Sequence, residues 1–163
     1  MLIKKLLRAI TVSEKFVISY IMLVISFLVF LQVLTRYVFQ FSTPWLEELT
    51  RFLMIWMVLL GSSLAVKMNK HITIDMFDLL LKKDKSRKLY YLFINITGII
   101  FSAFLIYYSF EVVMRTATYN QVSGAMRVPM YLINGSFLVG GLLILLHYVE
   151  RVFFGLIQPE RGE

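Results

Sequence analysis

The chain contains no cysteine. Disulfides, thiolate metal sites and cysteine nucleophiles are therefore excluded. Histidine is almost as scarce, with only His71 and His147. A b-type haem needs paired axial ligands at matched depth. Here one candidate lies in a loop and the other near the end of the last apolar run, on the same side, which makes a poor pair. Charge is missing from the middle of every apolar run, where proton-coupled carriers and pumps place ionisable groups. No internal repeat and no low-complexity tract is present. The net charge of +7 raises nucleic acid as a partner, but no basic stripe is interleaved with base-stacking aromatics, so no nucleic-acid partner is expected.

What is present is apolar and gathered into runs. Hydrophobic residues make up 59% of the chain and the mean hydropathy is +0.75, values that place it among integral membrane proteins. Four uncharged stretches stand out: Phe16 to Thr35, Phe52 to Val66, Leu89 to Phe110 and Val128 to Val149. About 20 residues are needed to cross about 30 Å of hydrocarbon. The second run is too short alone and reads as the end of a helix starting near Pro44. Thr43 would be its N-cap, Pro44 its first helical residue, and Glu47 and Glu48 would lie near its positive end. The expected fold class is an all-α integral membrane protein with four transmembrane helices, about 16–36, 44–66, 89–110 and 128–149. They form one membrane domain over residues 1–157, followed by a polar tail, 158–163.

Lys and Arg set the orientation. Four precede the first run, seven lie in the second loop and two in the tail, thirteen in all, whereas the first and third loops carry two each. The positive-inside rule puts both termini and the Lys67 to Lys88 loop in the cytoplasm. Lys4, Lys5, Arg8 and Lys15 resemble the basic region of a secretory signal, but the apolar run behind them is too long and no small-residue cleavage pattern follows. The segment is expected to remain as an anchor. Within the second loop, Asp75, Asp78, Lys82 and Lys85 recur at helical spacing opposite Ile72, Met76, Leu79 and Leu80. This predicts a short amphipathic helix at the cytoplasmic interface, either docking a partner or anchoring in membrane lipids.

Two groups of residues are candidates for function. The first is polar and sits where one span ends and the next begins. Glu47 and Arg51 are spaced i, i+4 in the favourable order, Gln32 and Arg36 share a helix face, and Arg36 and Glu48 can meet across the turn. With Trp45 and Tyr37 as interface anchors, this predicts an ion-pair network pinning two helix ends, which can also serve as a recognition surface. Glu111 and Arg115 form a second i, i+4 pair. The other group is a helix-packing seam. Asn95, Gly98, Ser102 and Ser109 share one arc of the third span, Asn134 and Gly141 lie one heptad apart on the fourth with Gly135 and Gly140 nearby, and the second offers Gly61 and Ala65. Small and amide side chains let helices approach closely and hydrogen-bond across the contact. A substrate path is the alternative.

At these residues the chain resembles the small membrane subunit of tripartite ATP-independent periplasmic (TRAP) transporters, the DctQ-type small permease. The likeness runs through Gln32, Val33, Arg36, Tyr37, Phe39, Trp45, Glu47, Glu48, Arg51, Trp56 and Gly61. It continues through Lys67, His71, Ile72, Ile74 and Asp75, and then through Arg127-Val128-Pro129 before the last span. Ser62 and Ser63 depart from it, standing where small alanines are common, and Tyr131 follows Pro129 where a tryptophan is frequent nearby. The resemblance implies a noncatalytic bacterial inner-membrane subunit, with no enzyme activity and no cofactor. Its implied partners are a large permease that holds the ion and substrate sites and a periplasmic substrate-binding protein. Family substrates are organic acids such as dicarboxylates or sialic acid. Arg36, Trp45, Glu47, Glu48, Arg51 and Arg127 are expected to serve structure or docking. Two other classes stay open: a membrane anchor of a respiratory complex, and a stand-alone small carrier.

Overall fold

The computed structural model describes the backbone of residues 2–68 and 84–157, with side chains for 7–68 and 92–153. The described residues form four helices: α1 (Leu2–Tyr37), α2 (Pro44–Lys67), α3 (Asp84–Thr118) and α4 (Met130–Ile157). Each contains a stretch long and apolar enough to cross a membrane. The protein is an all-α, four-span membrane protein. Of the amphipathic helix expected over Thr73 to Lys85, residues 73–83 lie outside the described residues, as do His71 and the tail 158–163, while its last two positions belong to the start of α3.

The helices outrun the apolar runs that announce them. α1 has 36 residues and begins well before Phe16, because nothing stops it: the first proline is Pro44 and the first glycine Gly61. α2 starts at Pro44, as the spacing predicts, with Thr43 at the N-cap position but no side-chain cap bond. α3 passes Phe110 to reach Thr118. Its final turns carry the Glu111–Arg115 pair at 2.5 Å.

Neighbouring helices pack in the order α1–α2–α4–α3, an open row in which α1 and α3 form the edges. Close approach makes the inner contacts. A Cβ added at Gly98 on α3 would run into the Tyr148 ring of α4, 2.5 Å from its Cε1, and one at Gly140 would fall 2.8 Å from Leu59 of α2. Gly141 meets Ile106 and Leu105 in the same way. Val66, Ile144 and Tyr148 form the buried apolar cluster, flanked by Ile99 and Leu105.

The seam differs from expectation in more than one respect. Ser102 and Ser109 are buried, yet their hydroxyls donate to Ile99 and Leu105 carbonyls of their own helix. They act through small volume rather than by bonding across. Asn95 is buried with its Oδ1 lacking a hydrogen-bond partner. Gly61 has open space where its Cβ would be, so within this chain it allows no close approach. Asn134 is half-buried at the edge of a cleft.

Candidate functional site

Polar side chains collect at both ends of the row. The end opposite the termini carries the two connections, 38–43 and 119–129. Here Gln32 Nε2 donates to Leu46 O at 3.0 Å and to Thr50 Oγ1 at 2.6 Å, while Thr35 and Thr43 hydroxyls meet at 3.3 Å. These bonds tie the end of α1 to the start of α2.

Glu48 reaches instead to the second connection. Its Oε2 accepts the backbone N–H of Ala125 at 3.0 Å and of Met126 at 2.7 Å. That connection has its own framework. Ser123 N–H donates to Val128 O, Met130 N–H to Gln121 O, and Val122 bridges Pro129. Asn120 and Arg127 take left-handed backbone at φ 47° and 54°. The hairpin is thus fixed within itself and fastened to α2 by one carboxylate.

The expected ion-pair network therefore takes another form. Among the described residues, neither Glu47 with Arg51 nor Arg36 with Glu48 closes to an ion pair. The physical reason is that Glu48 already has two amide donors, while Glu47, Arg51 and Arg36 are exposed and can remain in the polar phase. Trp45 and Arg127 are exposed as well. Arg51 lines an open cleft of about 530 Å³ with Glu48, Ser123, Asn134, Phe52 and Phe137.

The end bearing the termini holds a cluster that sequence reasoning misses. Glu14 on α1 is buried, at 5% exposure, as are Ser63 and His147. Ser63 Oγ donates to Glu14 Oε1 at 2.9 Å, and His147 Nε2 lies 3.0 Å from Glu14 Oε2. His147 Nδ1 is 3.5 Å from Glu150, which pairs in turn with Lys67. Ser63 and Lys67 are one turn apart on α2, so the chain of contacts closes a ring through α1, α4 and α2. A signal exists: Glu14 is the one acidic residue before Glu47.

The ring lies near the boundary of the hydrocarbon. At about 1.5 Å per residue, His147 is about 26 Å along α4 from Met130 and Glu14 about 35 Å along α1 from Tyr37, close to one membrane thickness. His147 faces a carboxylate rather than an open ligand position, which counts against a haem anchor. Among the described residues, no group of three His, Asp or Glu is arranged to hold a metal ion.

Comparison with known proteins identifies the family. Residues 25–157 match the family described as "Tripartite ATP-independent periplasmic transporters, DctQ component". A C4-dicarboxylate TRAP transporter small permease of Vibrio cholerae is 38% identical over 77 residues, 47% of this chain and 33% of that protein. A sialic acid TRAP transporter small permease of the same organism is 26% identical over 75% of this chain and 69% of its own length. The isethionate TRAP transporter permease DctMQ of Oleidesulfovibrio alaskensis is 27% identical over 68% of this chain. The chain spans about a third of the first relative's length, 33%, and 18% of the last. With four spans in this order and the family match extending from within α1 to the end of α4, the chain belongs to the DctQ family of TRAP transporter components, a transporter family rather than an enzyme family.

Proposed function

We propose that this chain is the noncatalytic small permease subunit of an ion-gradient-driven TRAP transporter for organic acids, held in a bacterial inner membrane with both termini cytoplasmic. It braces a large permease subunit laterally. Its outward segments, Arg36 to Thr43 and Thr118 to Arg127, help dock the periplasmic substrate-binding protein.

The observation that carries this reading is the open row. A self-sufficient carrier encloses a path, whereas this row leaves its edge helices uncovered. On α1 every aromatic residue, Phe16, Tyr20, Phe27, Phe30 and Tyr37, is exposed. With Leu23, the first four step along the helix by four, three, four and three residues, and Tyr37 follows one heptad after Phe30. Lipid imposes no such period; a partner helix does. Relatives add support. One carries the name DctMQ and is far longer than the matched part, as expected where a small permease is joined to a large one. Their names carry C4-dicarboxylate, isethionate and sialic acid, all organic anions.

The test is recovery of partners. A tagged chain extracted from its native membrane in mild detergent should bring down a large polytopic permease. Recovery of the chain alone, or with redox subunits, would overturn the reading. In the same preparation, Arg36→Ala separates the two roles: intact assembly with lost uptake supports docking, and lost assembly supports bracing.

A further inference from the structure

We propose that Glu14, gripped by Ser63 and His147, is the latch that fixes the rotation of α1 about its own axis, and so the direction in which its aromatic stripe points. A membrane helix has no strong reason to turn one apolar face rather than another toward its neighbour, since lipid satisfies both equally. Polar contacts must make the choice. Among the described residues, such contacts tie α1 to the rest of the chain at two places, Glu14 at one end and Gln32 with Thr35 at the other. Glu14 and Gln32 are eighteen residues apart, five helical turns, and therefore lie on one line along the helix. The aromatic stripe occupies the opposite face.

The two latches differ in strength. At the Gln32 end the groups are neutral, and Gln32, Thr35 and Thr43 are half-buried. At the Glu14 end a carboxylate with 4% side-chain exposure faces an imidazole with 0%. A carboxylate so placed is tolerable only while its partners hold it, so any turn of α1 that withdrew it from Ser63 and His147 would strand it. Beyond it, His147 Nδ1 lies 3.5 Å from Glu150 without a hydrogen bond, and Glu150 pairs with Lys67. Glu14 is thus a positioning residue. The latch is a property of this chain's own geometry and does not depend on the bracing reading.

The absence of native cysteine makes the test direct. In the full chain in lipid nanodiscs, spin labels at Val12→Cys and Val149→Cys report the termini end. A second pair, Val38→Cys and Tyr131→Cys, reports the opposite end. All four positions are exposed. With Glu14→Ala, the Val12–Val149 distance distribution should lose its single narrow peak and broaden, while the Val38–Tyr131 distribution stays as in the parent. Glu14→Gln, whose amide can still accept from Ser63 and donate to His147, should keep the narrow peak, a result that loss of folding would not allow. An unchanged Val12–Val149 distribution in Glu14→Ala overturns the proposal. Equal broadening at both ends in Glu14→Ala, or the same broadening in Glu14→Gln, overturns it too.

Discussion

Replacing Gly98 by alanine tests the closest helix contact in the row. The added Cβ would lie 2.5 Å from Tyr148 Cε1 and closer still to its Cζ, at least 1 Å inside the carbon–carbon optimum of about 3.5–4.0 Å. Overpacking of this kind costs about 1–3 kcal/mol, and an overlap this deep belongs at the upper end. Alanine also gains about 1 kcal/mol of helix propensity over glycine. The net loss is therefore about 2 kcal/mol, or about 30-fold in the folding equilibrium. Tyr148→Ala removes the obstacle, and in that background only the propensity gain survives, so Gly98→Ala should stabilise by about 1 kcal/mol. The expected result is a reversal of sign. Unfolding of the purified chain in mixed micelles of rising SDS content, followed by circular dichroism, gives all four corners of the cycle. The same sign in both backgrounds, with values agreeing within about 0.5 kcal/mol, would mean that the two residues are uncoupled and that the seam is not held by this contact.

Three further substitutions probe the end opposite the termini. Glu48→Ala should speed amide hydrogen exchange at Ala125 and Met126 without changing exchange along α2, because those two N–H groups lose their acceptor; unchanged exchange would show that the hairpin holds itself. Glu47→Ala and Arg51→Ala should have additive effects on stability, within about 0.5 kcal/mol, since neither residue closes on the other. A larger coupling would restore the ion pair that their spacing suggests.

Long-range order in the fold is plain in the sequence, and short-range polar pairing is not. Four apolar runs and Pro44 are enough to place four helices and the start of α2, because backbone satisfaction in lipid leaves helices as the local solution. Gly98 and Gly141 are legible as seam residues because small residues on one arc mark close approach. Glu47 and Arg51 mislead because i, i+4 spacing predicts a pair only where nothing competes, and exposure to the polar phase competes. Glu14 is hidden for a different reason. It sits among Lys4, Lys5, Arg8 and Lys15, so the segment reads as a basic flank, and only the continuation of α1 back to Leu2 brings its side chain beside α2 and α4. Ser63 stands out as a departure from the family pattern, yet its use depends on a partner 49 residues away, which no local spacing encodes.

The most direct measurement is a photo-crosslinker placed at Phe27, in the middle of the aromatic stripe, and activated in the native membrane. If the chain braces a large polytopic permease, that permease is captured covalently and identified by mass spectrometry. Capture of lipid alone, or of a redox subunit, would contradict the bracing role.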